Sequence, residues 1–306
     1  MYIGIAKEDG ISSKNDYWST YVQSSEELYK SRELRFHDGN KDSWLKALQI
    51  QNGMNILEVG CGGGLFCHRI KTYLPSTNIV GLDRDTGHIE YAKRKSKELG
   101  IECTFVNGDA TDLPFDNNIF DLCFSHTVFD FCEPDTFLQE QFRVLKPGGK
   151  VIISTVSGGN YPEIWQPDDS SDEKTLFDKL WEEARKNELS NVKRYGIELK
   201  DYPKYLHKAG FTNINIDTIS VVSYAPDNHS VNDDMAIKQI NENRLSELSS
   251  IQKAYLMASD ALNDYEYRDL VDLINKRYDR RIEQYQKGEK LWDFSTSMFL
   301  IVSAVK

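Results

Sequence analysis

The chain has 306 residues, of which 40% are hydrophobic and 28% are charged, as in a typical folded globular protein. This length suffices for one large α/β domain with additions, or for two modest domains. The formal net charge is −11, and a field of that sign repels nucleic-acid phosphates and anionic membrane surfaces. Composition therefore argues against a nucleic-acid or membrane partner.

Two further classes of protein are disfavoured by the sequence. The first ten residues lack the basic and then apolar pattern of a signal peptide, and no apolar run approaches the roughly 20 residues of a membrane helix. The five cysteines form no C-x-x-C pair and no zinc-spaced cluster with histidine, so we expect buried reduced thiols and no metal site. The sequence thus predicts a soluble cytoplasmic protein.

The first half of the chain changes from helices to an alternating pattern. Residues 1–50 are predicted to form an irregular start followed by helices, the first of which begins near Ser24. Apolar strand patterns then alternate with helical patterns; the strands are 55–59, 78–82, 102–106, 120–125 and 151–155, and the helices 65–73, 86–99 and 134–145. Such alternation requires parallel strands joined by crossovers, which predicts a doubly wound parallel sheet.

The second half departs from simple alternation. Helical patterns at 173–189 and 202–209 precede a strand at 211–223, a long helical stretch and a last strand at 297–305. Two late strands around a helical stretch predict an antiparallel hairpin at the sheet edge. We therefore predict an α/β fold with a seven-stranded, mostly parallel sheet. Its parts are an N-terminal helical cap (1–50), a core (51–225 and 290–306) and a helical insertion (226–289).

A glycine-rich turn follows the first predicted strand, in Glu58-Val59-Gly60-Cys61-Gly62-Gly63-Gly64. Glycines permit positive φ and close approach of the backbone to a ligand, and the next helix offers free N–H groups. A dinucleotide site has the spacing G-x-G-x-x-G, but its third glycine is Leu65 here. The acid at Glu58 disfavours a pyrophosphate and favours an ammonium group. S-adenosylmethionine carries an ammonium and a sulfonium and has no phosphate.

Further segments strengthen this interpretation. Asp83 ends the second predicted strand, where a carboxylate can accept hydrogen bonds from both ribose hydroxyls. The glycine turn, Asp83 and three later segments, in this order, resemble the motifs of class I S-adenosylmethionine-dependent methyltransferases. The later segments are Asn107-Gly108-Asp109-Ala110 with Leu113-Pro114-Phe115, Phe120-Asp121-Leu122, and Leu145-Lys146-Pro147-Gly148-Gly149.

The resemblance implies a set of cofactor contacts. These are Glu58, Gly60, Cys61, Gly62, Asp83, Arg84, Asp109, Ala110 and Ser125. Glu58 would orient the amine, Asp83 would bind the ribose, and Asp109 would accept from the adenine amino group. The glycines would surround the methionine part, Arg84 would flank the adenine or ribose, and Ser125 would lie near the acceptor.

The acceptor side is less defined. Methyl transfer is an in-line displacement, and a general base is needed only if the acceptor must lose a proton. His126 and Asp130, after the fourth strand, are the candidate bases, and Phe131 stands where the family often has histidine. No Asn/Asp-Pro-Pro-Tyr motif follows that strand, which argues against amino methylation of nucleic acids and favours a small-molecule acceptor. Aromatic residues expected near the acceptor are Tyr17, Trp18, Tyr21, Tyr161 and Trp165.

Two alternatives remain open at this point. A nicotinamide-dependent oxidoreductase would share the sheet and Asp83, but would not explain Leu65 at the third glycine position or the Asp109-Ala110 pair. A non-catalytic S-adenosylmethionine-binding module would share every cofactor residue. The sequence identifies neither the acceptor, nor the methylated atom, nor the oligomeric state. The first helical segment is expected to fold over the cofactor as a lid.

Overall fold

The structure is a computed structural model that describes residues 18–156, 170–186 and 194–306. Its strands are β1 (Asn55–Val59), β2 (Asn78–Asp83), β3 (Thr104–Asn107), β4 (Phe120–His126), β5 (Leu145–Val156), β6 (Thr212–Tyr224) and β7 (Ser295–Val305). Its α-helices are α1 (Ser25–Glu33), α2 (Lys41–Ala47), α3 (Leu65–Tyr73), α4 (Thr86–Leu99), α5 (Pro134–Val144), α6 (Ser171–Lys186), α7 (Tyr202–Lys208), α8 (Asp233–Met257) and α9 (Asp264–Gln286).

The strands form one seven-stranded sheet in the order β3-β2-β1-β4-β5-β7-β6. Strands β1 to β5 pair in parallel, whereas β7 runs antiparallel between β5 and β6. The predicted α/β fold, with a mostly parallel sheet and a late antiparallel hairpin, is confirmed. Val59 pairs with both Leu82 and Ser125, so the carboxyl ends of β1, β2 and β4 meet at one point of the sheet edge. Ligands of doubly wound sheets bind at such an edge.

Both faces of the sheet are covered, because neighbouring residues of each central strand enter different cores. Ile56 packs in one apolar cluster with Phe66 and Phe124, while Leu57 packs in the other with Val151. Successive side chains point to opposite faces, and both faces are buried. The central strands are therefore continuous apolar runs rather than alternating ones. The buried central strands therefore hold in place the sheet edge at which the loops after β1, β2 and β4 meet.

The ends of α4 show why its bounds were predictable. Asp85 is the N-cap, and its Oδ1 accepts a hydrogen bond of 3.0 Å from the backbone N–H of His88. Gly100 is the C-cap, with φ of +66°, a conformation that favours glycine. A capping carboxylate and a terminal glycine are local signals, so the helix can be read from neighbouring residues alone.

One local prediction was wrong. The fifth strand was predicted to begin at residue 151, but residues 146–149, which are typical of a turn, also lie within β5. Phe120 pairs with Leu145 and Leu122 pairs with Lys150, so the register shifts between these two pairs. The additional residues bulge out of the ladder, with Gly148 at φ of +77°. The strand thus begins before the turn and resumes after it.

The stretch between β6 and β7 forms α8 and α9, which pack with α6 around a third apolar core. Two buried arginines of α9 connect these helices to their surroundings. Arg277 lies 2.8 Å from Glu173 of α6, and Arg281 lies 2.8 Å from Asp227 and 2.7 Å from Asp293. Asp227 and Asp293 follow β6 and precede β7, so Arg281 joins the insertion to the sheet. Across the described ranges, no helix has the length and apolar character needed to cross a bilayer.

Candidate functional site

The glycine turn between β1 and α3 is closely packed. Gly60, Gly62 and Gly64 have φ of +74°, +54° and +82°, in the left-handed region that favours glycine. A Cβ on Gly60 would lie 2.3 Å from a methyl of Val128, and one on Gly62 would lie 2.7 Å from Leu28. Both contacts are shorter than van der Waals separation, so side chains at these positions require the neighbours to move.

Asp83 connects this turn to the loop after β2. Its Oδ2 accepts a hydrogen bond of 2.8 Å from the N–H of Gly62, and its Oδ1 accepts one of 2.9 Å from the N–H of Asp85. The side-chain amide of Asn107 donates to the carbonyl oxygens of Asp83 and Arg84. The half-buried Asp83 carboxylate keeps further lone pairs for a ligand, whereas the Arg84 side chain is exposed.

Glu58 lies beneath the turn and is 1% exposed. The thiol of Cys67 donates to its Oε2 at 3.0 Å. Burial raises the pKa of Glu58 to about 8, against the opposing effects of the Cys67 hydrogen bond and the Arg32 charge. Because burial disfavours the ionised carboxylate, a cationic ligand is the partner that would stabilise it.

Arg32, on α1, was missed by the sequence analysis. Its Nη1 lies 3.1 Å from the position of a Cβ on Gly62. Burial lowers the pKa of Arg32, whereas the charges of Glu58 and Asp83 raise it. A guanidinium beside two carboxylates at the turn can bind a ligand that carries both a carboxylate and an ammonium. No local pattern marks this arginine, because only the packing of α1 against the turn brings it there.

Helix α1 is attached to the core through its inner face. Ser25 Oγ lies 2.8 Å from His88 Nδ1 on α4, and Tyr29 Oη lies 3.2 Å from His68 Nδ1 on α3. Ser24 caps the helix, and its side chain accepts from the N–H of Glu27 in a capping box. The helix packs against the glycine turn.

The predicted adenine-contacting segment adopts a tight turn after β3. Asp109 is exposed, and its Oδ1 accepts from the N–H of Thr111 at 2.8 Å and from its hydroxyl at 2.7 Å. Ala110 is buried at the next position. One oxygen of Asp109 therefore shapes the turn, and the other remains available for the predicted contact.

The end of β4 carries a buried hydroxyl and a strained backbone. Ser125 is fully buried, and within the described part of the chain its Oγ has no hydrogen-bond partner. Thr127 has φ of +58°, which is rare for a β-branched residue, and its hydroxyl donates to the carbonyl oxygen of His126 at 2.6 Å. Unpartnered polar atoms and strained backbone both concentrate where ligands bind.

His126 lies in the core rather than at the open edge. Its Nδ1 is 3.0 Å from Ser154 Oγ, and four aromatic rings surround the imidazole, from Phe36, Trp44, Phe66 and Phe299. Burial lowers the pKa of His126 well below its usual range, and the charges of Arg32 and Arg35 add to this. Such an imidazole is neutral and shielded, which favours a structural role.

Asp130 joins two loops. Its Oδ1 accepts from the N–H of Ile197 at 3.1 Å, and its carbonyl oxygen accepts from the N–H of Tyr195 at 2.8 Å. The side chain is half-buried, so the remaining carboxylate oxygen can still face a ligand.

Next to Asp130, Phe131 contacts Trp18 edge to face at 5.0 Å, and the Arg194 guanidinium lies 5.3 Å from its ring. Of the other predicted aromatic residues, Tyr17, Tyr161, Trp165 and the side chain of Tyr21 lie outside the described residues.

Cys61 is buried inside the turn, and its side chain packs where a Cβ on Gly81 would lie. Burial raises the pKa of Cys61 well above its ordinary value, and the same holds for Cys67. Both thiols are therefore protonated and unreactive. The ranges that the structure describes contain no group of three histidine, cysteine or acidic side chains able to hold a metal ion.

A cavity of about 790 Å³ lies on the other side of α1. Its walls come from α1, α8 and α9, and they include Glu26, Lys30, Ser31, Leu248, Lys253 and Val271. The residues of α1 that lie against the glycine turn are Ser25, Leu28, Tyr29 and Arg32, which share the opposite face of the helix. The helix therefore separates this cavity from the turn.

A family model described as "Methyltransferase domain" matches residues 50–215, which include the glycine turn, Asp83, the Asp109 turn and the end of β4. The chain belongs to this methyltransferase domain family. It is 31% identical over 125 residues to demethylmenaquinone methyltransferase of Oceanobacillus iheyensis, covering 40% of this chain and 52% of the relative. It is 42% identical over 104 residues to fatty-acid O-methyltransferase of Mycolicibacterium smegmatis, covering 33% and 37%. The chain thus spans about half the length, or less, of these two relatives.

Solved structures of other proteins share the fold. Phosphoethanolamine N-methyltransferase 2 of Haemonchus contortus, solved with S-adenosyl-L-methionine, has a TM-score of 0.54 and 19% identity, covering 96% of this chain and 60% of that chain. The [4+2]-cyclase SpnF has a TM-score of 0.50 and 17% identity, covering 90% and 81%. At such identities the likeness shows the fold alone.

Proposed function

We propose that this member of the family is an enzyme that transfers the methyl group of S-adenosylmethionine to a small-molecule acceptor. The observation that carries the proposal is the charge arrangement at the glycine turn. A buried carboxylate, Glu58, lies beneath the turn, and a guanidinium, Arg32, lies against its Gly62, where φ is positive. This arrangement matches an amino-acid group, which has one cationic and one anionic end.

The remaining residues fit the other parts of the cofactor. Asp83 already accepts two backbone N–H groups and retains lone pairs for the ribose. Asp109 and Ala110 form the adenine side of the site in this proposal, and Arg84 follows Asp83, the carboxylate that would bind the ribose. Ser125, whose hydroxyl is buried without a partner in the described chain, would lie near the acceptor in this proposal. The backbone around Cys61 would contact the methionine part.

When bound, S-adenosylmethionine supplies a methyl group on a sulfonium, which is already activated for displacement. The residues of this chain then hold the acceptor in line and exclude water, which can contribute about 7–11 kcal/mol in favourable cases. Trp18 and Phe131, in edge-to-face contact beside the end of β4, offer an apolar wall for the acceptor. Asp130 is the better placed of the two predicted bases, because His126 is shielded.

The affinity for the product S-adenosylhomocysteine should rise with pH between pH 6 and pH 8. The pKa of Glu58 is raised to about 8, so the carboxyl is protonated below that pH. An ammonium pairs with the ionised form, so binding must release a proton, and affinity should rise by at most about tenfold per pH unit. Calorimetry in buffers of different ionisation enthalpy measures both the affinity and the proton released.

Glu58→Gln is the matched control for this pH dependence. The amide cannot titrate, so the variant should bind more weakly, with an affinity that no longer rises between pH 6 and pH 8. A variant that kept the full pH dependence of the native protein would assign it to another group.

Replacing His126 with asparagine should lower stability and leave cofactor binding intact. The amide can still reach Ser154, but it leaves space among four aromatic rings, so we expect a loss of about 1–3 kcal/mol in the free energy of unfolding. Urea denaturation measures the loss, and calorimetry should give an S-adenosylhomocysteine affinity within twofold of native. Unchanged stability combined with lost methyl transfer would instead support the role of His126 as a base.

The acceptor is to be found by incubating the protein with isotopically labelled S-adenosylmethionine and a metabolite extract, then identifying labelled products by mass spectrometry. Label in a small molecule supports the proposal. Binding of S-adenosylhomocysteine without any labelled product would favour a protein that binds the cofactor without transferring its methyl group. Binding of NAD in its place would favour an oxidoreductase.

The proposal also includes the location of the protein, its partners and the division of the chain into parts. We propose a cytoplasmic enzyme without nucleic-acid or membrane partners, in keeping with its net charge of −11. Residues 1–50 would act as the cap, 51–225 and 290–306 as the core, and 226–289 as the insertion. The position of α8 and α9 between β6 and β7 supports this division.

A further inference from the structure

His88 lies in the first turn of α4, directly beyond the loop that carries Asp83. It is 2% exposed, and its backbone N–H donates to Asp85 Oδ1 at 3.0 Å. Its ring is oriented by Ser25 of α1, whose Oγ lies 2.8 Å from Nδ1. Neither the motifs of the sequence nor the family resemblance assigned a role to this residue.

The other ring nitrogen, His88 Nε2, is shielded from solvent and has no hydrogen-bond partner among the residues described. Leaving a buried polar atom unpaired costs about 1–3 kcal/mol, so such atoms in folded proteins are usually satisfied. Nδ1 is already engaged by Ser25, and the imidazole has no other polar atom. A ligand that enters beside His88 would supply the missing partner.

Hydrogen bonds link His88 to the cofactor site, because its N–H donates to Asp85 Oδ1 and the N–H of Asp85 donates to Asp83 Oδ1. Asp83 and Asp85 raise the pKa of His88, while Arg32 lowers it; burial is the largest effect and keeps the ring neutral. A neutral imidazole has one donor and one acceptor nitrogen, so Nε2 can pair with a hydroxyl in either tautomer. The hydroxyls that belong beside Asp83 in the proposed function are those of the ribose.

We propose that His88 Nε2 forms a hydrogen bond with a ribose hydroxyl of the bound nucleoside, so that His88 and Asp83 together bind the sugar. This inference rests on the proposed function, since it needs the cofactor to be the ligand of Asp83. The inference adds His88 to the residues that bind the cofactor. It also involves α1, because Ser25 of this helix orients the imidazole that would bind the sugar.

The test uses two variants that each preserve one nitrogen. Asparagine places its amide near Nδ1 and glutamine places it near Nε2, so H88N keeps the contact with Ser25 and H88Q keeps the contact with the sugar. By calorimetry, H88N should bind S-adenosylhomocysteine about tenfold more weakly, the upper end for one neutral hydrogen bond, and H88Q should bind within twofold of native. Equal affinities of H88N and the native protein overturn the inference.

Analogues of S-adenosylhomocysteine that lack the 2′- or the 3′-hydroxyl make the test specific. The analogue that lacks the hydroxyl bound by His88 should bind H88N and the native protein equally, because it cannot form this hydrogen bond with either. A tenfold loss that persists with both analogues overturns the inference and leaves His88 as a packing residue.

Should H88N fail to fold, the native protein labelled with ¹⁵N-histidine gives the same information. The Nε2 resonance of His88 should shift on addition of S-adenosylhomocysteine, and shift less with one of the two analogues. No shift contradicts the inference. Failure of the native protein to bind S-adenosylhomocysteine at all would instead reject the proposed function.

Discussion

Replacing Gly62 with arginine should abolish binding of S-adenosylhomocysteine while the protein stays folded. Gly62 has φ of +54°, and a Cβ there would lie 2.7 Å from Leu28 Cδ2 and 3.1 Å from Arg32 Nη1. The added side chain must therefore enter the space of the ligand or displace α1. We expect no binding at concentrations about 100-fold above the native Kd, a loss of at least about 2.7 kcal/mol. Calorimetry measures the loss, and circular dichroism verifies the fold.

Gly100→Arg is a suitable control for this variant. Gly100 also has a positive φ, of +66°, but nothing lies within 4 Å of its Cβ position. The backbone strain is therefore similar and the steric conflict is absent, so Gly100→Arg should bind with native affinity. If Gly62→Arg bound as well as Gly100→Arg, the turn would not be the binding site.

Replacing Asp83 with alanine should have the second largest effect. The change removes the proposed ribose acceptor and also leaves the N–H groups of Gly62 and Asp85 without the bonds they donate to it. Hydrogen bonds to a charged group contribute about 1.5–3 kcal/mol each, so affinity for S-adenosylhomocysteine should fall by about 100-fold or more. Asp83→Asn keeps one acceptor oxygen and should lose less.

Asp121→Ala is the matched carboxylate control. Asp121 also accepts a backbone N–H, that of Asn55 at 2.8 Å, but it lies near the start of β4, whereas the glycine turn lies at the other end of the sheet. Its removal should lower stability and leave affinity unchanged. A similar loss of affinity in the Asp83 and Asp121 variants would point to a general loosening of the sheet.

The parts of the fold that sequence patterns predicted are those with local causes. The bounds of α4 follow from a capping Asp85 and a terminal Gly100, and the buried strand β1 follows from its apolar run before the glycines. The register break in β5 was not predictable, because it depends on pairing with Phe120 of another strand. Local sequence predicts the type of an element, whereas pairing with another strand determines where a strand begins.

The candidate site divides in the same way. The glycine turn and Asp83 are contiguous motifs, so their positions followed from the sequence. Arg32 reaches the site only through the packing of α1 against the turn, and Ser25 of the same helix contacts the His88 ring; both are contacts between distant segments. The surroundings of His126 were also not predictable: it follows β4, where the acceptor was expected, but aromatic side chains from three other parts of the chain enclose it.

Helix α1 is only nine residues long, yet it forms a wall of two separate compartments. Leu28 and Arg32 face the glycine turn, while Glu26 and Lys30 face the 790 Å³ cavity beside α8 and α9. A ligand in the cavity that shifted α1 would also change the affinity of the glycine turn for its own ligand. By thermodynamic reciprocity, the ligand at the turn would then change the affinity of the cavity by the same factor.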